Sequence, residues 1–264
     1  MGFADTHAHL LPFWDDGADS WETALAMLEM GEEDGIDTVV CTPHIMSPRD
    51  SQEEPVLWAT YEELVERAQQ KNLKLTIHMG AEFFVNPDID LNRKMATPAQ
   101  NGRYYLVEFP MNMMPDFVAA GFLKKCQTGQ RTPVLAHPER YLRVLQNPQE
   151  ACTYVERGAL LQVNAGSLLG VFGTAVREVA MQLLQAGLVH VIASDAHDLK
   201  TRPLRLRKAY DLVAAEMGTE KAIQLFSDNP RRLLRGEDIV KQTPLPLKAP
   251  AKRNLWQRLG SNKK

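Results

Sequence analysis

Residues 3–17 read FADTHAHLLPFWDDG, a short segment that starts apolar, carries two histidines and ends in two adjacent aspartates before a glycine. An H-x-H pair on an extended segment places both imidazoles on the same side of the backbone, where they can chelate a metal ion. The same arrangement, a short β-branched strand followed by a metal-seeking side chain, recurs along the chain. This repetition decides the predicted fold.

Short strands and longer amphipathic segments alternate over most of the sequence. The predicted strands are residues 2–6, 38–42, 73–79, 104–109, 133–136, 160–164 and 189–193. The predicted helices are residues 20–34, 54–71, 116–127, 148–157, 174–186, 205–216 and 220–226. This alternation predicts a parallel β/α architecture. Seven strands favour a closed or nearly closed barrel, with a doubly wound open sheet as the alternative.

The composition is that of a globular protein. With 264 residues, 44% of them hydrophobic and 24% charged, the chain is long enough for one large domain, predicted over residues 1–240. Residues 241–264 are basic and contain prolines, which predicts a flexible tail. A formal net charge of −3 gives no argument for nucleic-acid binding.

The sequence shows no membrane segment or signal-peptide pattern, which predicts a cytoplasmic protein. No apolar run approaches the roughly 18 residues of a membrane helix, and the first residues lack the pattern of a signal peptide. The three cysteines, Cys41, Cys126 and Cys152, lack C-x-x-C spacing, so the sequence predicts neither a disulfide framework nor a cysteine zinc site.

Ionisable side chains follow six of the seven predicted strands. They are His7 and His9 after the first strand, then His44, Glu82, Glu108, His137 and, after the seventh, Asp195 with His197; Asp16 lies in the first loop. The carboxyl ends of the strands of a β/α barrel open onto one face. Such groups avoid buried strand ends unless they are paired or bind metal, so they predict a metal centre. His78 and His190, inside strands, are interpreted as structural.

The donor set indicates the chemistry of this centre. Nitrogen and oxygen ligands without thiolate suit manganese, zinc or iron(II). Nine ligands exceed the needs of one tetrahedral ion, which favours a cluster of two or three ions that hydrolyses a phosphoester or an amide. Arg140 and Arg202 follow His137 and His197 by three and five residues and favour a phosphate substrate. Alternatively, these arginines form surface ion pairs with Glu139 or Asp198.

The sequence excludes a cysteine-nucleophile phosphatase. That chemistry requires the motif C-x5-R, and the residues six positions after the three cysteines are Ser47, Thr132 and Gly158. A phenolate, whose conjugate acid has a pKa of about 10, leaves readily without a strong general acid. Hydrolysis of an aryl phosphate by a metal-bound hydroxide therefore fits the residues present.

Eight motifs carry a family resemblance: DTHAHLLPFWDDGADS, TPH, GAE, VEF, AHPERY, QVNAGSLLG, VIASDAH and DNPRRLL. Together, over residues 3–235, they resemble the PHP (polymerase and histidinol phosphatase) metal-dependent phosphoesterases. Within these, the chain is most similar to the protein-tyrosine phosphatases of capsule and exopolysaccharide operons, the CpsB/YwqE type. The segment after TPH departs from the family pattern.

The resemblance implies a distorted (β/α)7 barrel with a trinuclear centre, commonly active with manganese, with iron, zinc or magnesium as alternatives. One ion would be held by His7, His9, Glu82 and Asp195, and Glu82 would bridge to a second ion held by Glu108 and His137. Asp16, His44 and His197 would hold the third ion. Arg140 and Arg202 match the phosphate-binding arginines of the family.

The resemblance also implies a partner, a phosphotyrosine-containing membrane tyrosine autokinase that controls capsule or exopolysaccharide synthesis. The basic tail would add a weak contact with an anionic membrane surface. A phosphatase acting on a small molecule such as histidinol phosphate is the nearest alternative function. A non-catalytic phosphoprotein-binding regulator and a metal-dependent amidohydrolase are more distant alternatives; the two arginines and the lack of a lysine placed to bridge two metals argue against the latter.

Overall fold

The fold is described from a computed structural model that covers residues 2–129 and 131–247. Its strands are β1 (Phe3–Ala8), β2 (Ile36–Cys41), β3 (His44–Ile45), β4 (Thr76–Met79), β5 (Glu82–Phe84), β6 (Tyr104–Glu108), β7 (Thr132–Ala136), β8 (Leu160–Asn164) and β9 (Val191–Ala193). Its α-helices are α1 (Trp21–Asp34), α2 (Pro48–Gln52), α3 (Glu54–Gln70), α4 (Asp116–Cys126), α5 (Leu142–Gln146), α6 (Gln149–Glu156), α7 (Ala165–Leu169), α8 (Thr174–Gln185), α9 (Arg207–Met217), α10 (Thr219–Ile223) and α11 (Asn229–Leu234).

Two of the seven predicted strands, β2 and β4, are each followed after a break of two residues by a further short strand that was not predicted, β3 and β5. All strand pairs are parallel, in the orders β1-β2-β4 and β3-β5-β6-β7-β8-β9. The breaks lie side by side, where the Gly80 N–H donates to the Cys41 carbonyl (2.9 Å) and the Glu82 N–H donates to the Pro43 carbonyl (3.0 Å). The β2/β3 and β4/β5 segments therefore act as two bent strands of one barrel.

The barrel closes between β1 and the segment after β9. The His9 N–H donates to the Ala196 carbonyl at 2.8 Å, and Ala8 forms a parallel bridge with Ala196. The buried Asp5 carboxylate also accepts the Ser194 N–H, at 3.1 and 3.2 Å from its two oxygens. The predicted distorted seven-stranded barrel is thus confirmed, and the open sheet is not what the chain forms.

The interior of the barrel changes from apolar to polar along each strand. The part of the interior nearer the amino ends of the strands contains an apolar cluster, formed by Tyr104, Leu106, Val134, Ala136, Leu160 and Val191. Leu233 and Ile239, from the last part of the fold, pack against this cluster and close it. Because every second strand residue faces the same side, inward positions continue from Leu106 to Glu108 and from Leu160 to Asn164. The polar positions gather at the carboxyl ends.

The helices match the predicted segments closely where the amphipathic pattern is long. Ser20 caps the amino end of α1, where its hydroxyl accepts the Thr23 N–H at 3.1 Å, and Gly35, with φ 97°, caps the carboxyl end. The predicted last helix continues from α10 into a π-turn, Gln224–Asp228. Four short helices, α2, α5, α7 and α11, were not predicted, because five or six residues show too little periodicity.

The first part of the predicted tail lies against the domain. The Leu245 N–H donates to the Ala186 carbonyl at 2.9 Å, and Leu247 packs on the core. Residues 248–264, which hold six of the seven basic residues of this segment, lie outside the described residues, so the tail stays a prediction. Within the described ranges, none of the helices has the length and apolar character needed to cross a membrane.

Candidate metal centre

The carboxyl ends of the strands bring together the nine predicted ligands, which we call the histidine–carboxylate cluster. Its members are His7, His9, Asp16, His44, Glu82, Glu108, His137, Asp195 and His197. Within each of three groups the ligand atoms lie within 4.8 Å of one another: His9, Asp16, His44 and His197; His7, His9 and Asp195; and His44, Glu82 and Glu108. His137 joins through its Nε2, which is 3.3 Å from Glu82 Oε1.

The carboxylate of Glu82 lies at the middle of this cluster and is fully buried. Its Oε2 is 3.2 Å from His7 Nε2, 3.3 Å from His9 Nε2 and 3.1 Å from His44 Nδ1. These contacts lack hydrogen-bond geometry, and neither Glu82 oxygen has a hydrogen-bond partner among the described residues. Four imidazoles thus surround a carboxylate that no protein donor satisfies.

Other ligand atoms of the cluster are left unpaired in the same way. Within the described part of the chain, Asp195 Oδ1, His44 Nδ1 and His197 Nε2 are buried without a hydrogen-bond partner. Buried polar atoms are almost always paired in native proteins, and such lone pairs are the ones that a metal ion uses. Imidazole and carboxylate are suitable donors for manganese, zinc and iron(II). The residues present therefore fit the divalent ions predicted from the sequence.

The carboxylate of Asp15 orients His9. His9 Nδ1 lies 2.9 Å from Asp15 Oδ2, so Nδ1–H donates and Nε2 faces the cluster as an acceptor. The same carboxylate accepts the backbone N–H groups of His44 (3.0 Å) and Gly17 (3.0 Å). Sequence reasoning selected Asp16 and missed Asp15. The glycine two residues after Asp15 was the available signal, because it allows the turn that folds this carboxylate back onto its own loop.

Two hydrogen-bonded amide side chains of β8, Gln162 and Asn164, orient His7. His7 Nδ1 lies 2.8 Å from Gln162 Oε1, the Gln162 amide donates to Asn164 Oδ1 at 2.8 Å, and the Asn164 amide donates to Asp195 Oδ2 at 2.6 Å. With these hydrogen bonds formed, His7 Nε2 and Asp195 Oδ1 face each other at 3.3 Å. The amides at the end of β8 thus position two ligands, His7 on β1 and Asp195 after β9.

Burial and mutual charge shift the pKa values of the cluster. Burial opposes a proton on His7, but the carboxylates of Glu82 and Asp195 outweigh it and raise the His7 pKa to about 10. Burial also opposes charge on Glu82, yet His7 and its neighbours hold that pKa well below the usual range. Burial and the charge of Glu82 raise the pKa of Glu108 to about 7. Metal binding would therefore release protons from the histidines.

Two members of the cluster adopt backbone conformations that are unusual for non-glycine residues. His137 has φ 34° and Asp195 has φ 55°, both in the left-handed region. His137 directly follows β7, and Asp195 follows β9 after one intervening residue. Such conformations cost energy and persist where packing enforces them, most often at functional sites. Here they turn the two side chains inward over the end of the barrel.

The two predicted phosphate-binding arginines converge on one carboxylate oxygen. Arg202 Nη2 is 2.6 Å and Arg140 Nη1 is 3.1 Å from Asp195 Oδ2. Neither guanidinium pairs with Glu139 or Asp198, the alternative partners considered from the sequence. Glu139 is buried and accepts the Asn164 N–H at 2.9 Å. The arginines therefore lie beside the cluster, as their spacing from His137 and His197 predicts.

The cluster opens to solvent beside the first loop. A cavity of about 520 Å³ is lined by Trp14, Asp15, Asp16, His44, Met46 and Asp50. The Trp14 indole N–H donates to the His44 carbonyl at 3.0 Å, which fixes the aromatic wall of this opening. The side chain of Asp16 is 63% exposed, whereas that of Glu82 is 0% exposed. The centre is thus buried at its base and open at its mouth.

Comparison with known proteins agrees with this geometry. The family model described as "Capsular polysaccharide synthesis, CpsB/CapC" matches residues 3–235. The chain is 32% identical to the tyrosine-protein phosphatase YwqE of Bacillus subtilis over 246 residues, which covers 92% of this chain and 96% of the relative. It is 31% identical to the tyrosine-protein phosphatase CpsB of Streptococcus pneumoniae over 237 residues, covering 87% and 97%.

Solved structures show the same fold. A chain from the crystal structures of YwqE from Bacillus subtilis and CpsB from Streptococcus pneumoniae, described as unique metal-dependent tyrosine phosphatases, has a TM-score of 0.83 at 31% identity and covers 93% of this chain and 100% of its own. A β-aspartyl dipeptidase from Fervidobacterium islandicum AW-1 has a TM-score of 0.52 at 13% identity, covering 91% and 77%, which indicates a shared fold alone. The chain belongs to the CpsB/CapC family.

Proposed function

We propose that this protein is a metal-dependent protein-tyrosine phosphatase. The observation that carries the proposal is the fully buried Glu82 carboxylate, which faces four imidazoles and has no hydrogen-bond partner among the described residues for either oxygen. Similarity to proteins named tyrosine-protein phosphatases over most of the chain supports the reaction. Nitrogen and oxygen donors support two or three divalent ions, with Mn²⁺ as the proposed metal.

We assign the ligands as the family resemblance implies. His7, His9, Glu82 and Asp195 would hold one ion, Glu82 would be shared with a second ion held by Glu108 and His137, and Asp16, His44 and His197 would hold the third. The proximity groups support the first and third sets, while His44 also lies close to Glu82 and Glu108 and so borders two sites. Bound divalent ions would acidify water and neutralise phosphate oxygens.

The two carboxylate oxygens of Asp195 have different partners. Oδ1 is buried, lacks a hydrogen-bond partner among the described residues and faces His7, as a ligand would. Oδ2 accepts from Arg140, Arg202 and Asn164. The arginines are therefore held in place without substrate, and their remaining N–H groups are available for the non-bridging oxygens of a phosphate. Binding in this place would orient phosphorus over the ligands.

The open mouth favours a protein substrate over a small metabolite. An enzyme for a compound such as histidinol phosphate gains specificity by enclosing it, whereas here the Asp16 side chain is 63% exposed at the entrance. A phosphotyrosine on an extended peptide can reach such a centre while its backbone stays outside. We propose that the substrate is a membrane tyrosine autokinase involved in capsule or exopolysaccharide synthesis, in keeping with the family description.

We propose a cytoplasmic location for this reaction. Cys41, Cys126 and Cys152 are all free thiols in the structure, and Cys41 and Cys126 are buried. Structural disulfides are typical of oxidising compartments, and free buried thiols are compatible with a reducing one. A cytoplasmic enzyme would meet the tail of a membrane kinase from the same side.

The test is phosphate release from a phosphotyrosyl peptide and from histidinol phosphate, measured side by side with protein stripped by chelator and reloaded with Mn²⁺. We expect rapid, manganese-dependent release from the peptide and little from histidinol phosphate. Arg202→Gln should abolish most of this activity, whereas Arg157→Gln, which breaks a surface pair with Asp116, should not. Preference for histidinol phosphate would overturn the proposed substrate, and absence of release from both would overturn the activity.

A further inference from the structure

A second cavity lies beside the histidine–carboxylate cluster, between α7 and the segment that leads into α9. Its volume is about 200 Å³, and we call it the basic pocket. Leu169, Val171 and Phe172 form its apolar wall. Leu169 and Val171 are 43% and 52% exposed, so this wall is open to a ligand from solvent.

The opposite wall of the basic pocket is cationic. Lys200, Arg202, Arg205 and Lys208 line it, and no carboxylate does. The side chains of Lys200, Arg205 and Lys208 are exposed and form no ion pair with any residue that the structure describes. In a chain with a formal net charge of −3, this concentration of unpaired positive charge attracts anions locally.

The cavity beside the first loop, described above, has the opposite character. Asp15, Asp16 and Asp50 line it, together with Trp14, His44 and Met46. A peptide that reaches both cavities would therefore meet negative charge at one and positive charge at the other. Such an asymmetry gives a substrate a preferred direction.

The basic pocket shares its wall with the proposed phosphate-binding site. Arg202 lines the pocket while its guanidinium contacts Asp195, and Phe172 of the apolar wall packs under the guanidinium of Arg140 at 4.3 Å. Ser194, the residue before Asp195, also lines the pocket. A group bound there would thus sit next to a phosphotyrosine held by the two arginines.

We propose that the basic pocket binds an acidic side chain of the peptide segment that flanks the phosphotyrosine. The carboxylate would face Lys200, Arg205 and Lys208, and its methylene groups would lie on Leu169 and Val171. This proposal rests on the proposed function and assigns it a substrate preference. The pocket makes phosphotyrosyl peptides with neighbouring Asp or Glu better substrates than neutral ones.

The kinetic test uses two phosphotyrosyl peptides that differ only in having Glu or Gln at the flanking positions, and para-nitrophenyl phosphate as a substrate without flanks. In the triple variant Lys200→Gln, Arg205→Gln, Lys208→Gln we expect kcat/KM to fall about tenfold for the acidic peptide, because several exposed ion pairs are lost together. The values for the neutral peptide and for para-nitrophenyl phosphate should stay within about twofold. The matched control removes three exposed cations elsewhere, Lys74→Gln, Lys124→Gln, Lys241→Gln.

A binding measurement separates this proposal from the proposed activity. The manganese-loaded full chain is titrated with a fluorescent Glu-rich peptide that lacks phosphate, and anisotropy is recorded. We expect weaker binding to the pocket variant than to the control variant, although both keep the basic residues after 247. A protein without turnover that shows this difference would retain the pocket assignment and lose the proposed activity. Equal binding by the two variants, or equal loss of kcat/KM on all three substrates, would overturn the pocket assignment.

Discussion

The two ends of the barrel interior are equally buried and chemically opposite. Near the amino ends of the strands, Leu160 and Val191 are 1% and 0% exposed and pack in an apolar cluster. Near the carboxyl ends, Glu82 and His7 are 0% exposed, and both Glu82 carboxylate oxygens lack a hydrogen-bond partner among the described residues. Burial stabilises the first end by about 25 cal/mol per Å² of apolar surface and destabilises the second.

The two ends therefore contribute differently to stability and to function. One end of the barrel holds the fold together, and the other carries groups that are costly to bury unless something binds them. If this division is correct, substitutions at the two ends should separate cleanly into losses of chemistry and losses of stability.

The largest effect is expected for Glu82→Gln at the polar end. Glutamine keeps the size of the side chain but removes the charge that we propose bridges two ions. We expect kcat of the manganese-loaded protein to fall by about 10³-fold, comparable with the loss of a key electrostatic group in other active sites. Glu63→Gln, an exposed carboxylate on α3, is the matched control. Turnover near the parent value in Glu82→Gln would break the division between the two ends.

At the apolar end we expect Leu160→Ala to act on stability instead. Removing this buried side chain leaves a cavity and should lower the free energy of unfolding by about 2–5 kcal/mol. The kcat of the folded, metal-loaded variant should stay within about threefold of the parent, because Leu160 packs in the apolar cluster and is not one of the proposed ligands. Urea unfolding followed by circular dichroism gives the first value. Val56→Ala, at a side chain 53% exposed, should cost little. A stable but inactive Leu160→Ala would contradict the account.

A smaller effect is expected for Asp15→Asn, which leaves all proposed ligands in place and changes only how His9 is oriented. The variant weakens the acceptor that fixes the His9 tautomer, so we expect manganese affinity to fall about 10–100-fold with the fold unchanged. Calorimetric titration of stripped protein with Mn²⁺ measures this. Asp19→Asn, in the same loop but outside the cluster, is the control. Unchanged affinity would show that Asp15 only shapes the loop.

The smallest effect concerns His190, a buried histidine outside the cluster. Burial, aided by Lys241 and Lys221, lowers its pKa to about 3, and its Nδ1 accepts the Leu161 N–H at 3.0 Å. Below the ordinary histidine pKa of about 6.5, the unfolded chain binds a proton at His190 and the folded chain does not. This contribution to the free energy of unfolding is therefore lost as the pH falls from about 6.5 towards 3.

His190→Asn should remove this pH dependence while keeping an acceptor for Leu161. Between about pH 8 and 5.5 we expect the parent to lose about 1.4 kcal/mol more unfolding free energy than the variant. Denaturant unfolding of metal-free protein at both pH values makes the comparison. Equal losses in parent and variant would mean that His190 carries no such contribution.

Sequence reasoning predicted the barrel from the alternation of strands and helices, and six of the seven predicted strands end in a recognisable way. The H-x-H pair, TPH and SDAH all place an ionisable group where a buried run of apolar residues stops, and this pattern depends only on local spacing. The short strands β3 and β5, which continue two strands beyond the breaks at Thr42 and Gly80, were not predicted. They depend on the two neighbouring strands bending at the same level, which is a tertiary property that neither segment shows alone.

The same limit applies to the residues that orient the cluster. Asp15, Gln162 and Asn164 act through hydrogen bonds to His9, His7 and Asp195, and two of those three contacts span 31 or more residues. An uncharged glutamine inside a strand carries no local signal of such a role. The basic pocket was missed for the same reason, because α7 and the segment before α9 are brought together only by the barrel.

The most direct test of the central claim is to count the metal ions. Protein stripped with chelator, reloaded with Mn²⁺ and dialysed would be analysed by inductively coupled plasma mass spectrometry, with thermal unfolding recorded for the stripped and reloaded forms. The account predicts two to three ions per chain, a higher melting temperature after reloading, and fewer ions in Glu82→Gln. Less than one ion per chain and an unchanged melting temperature would contradict it.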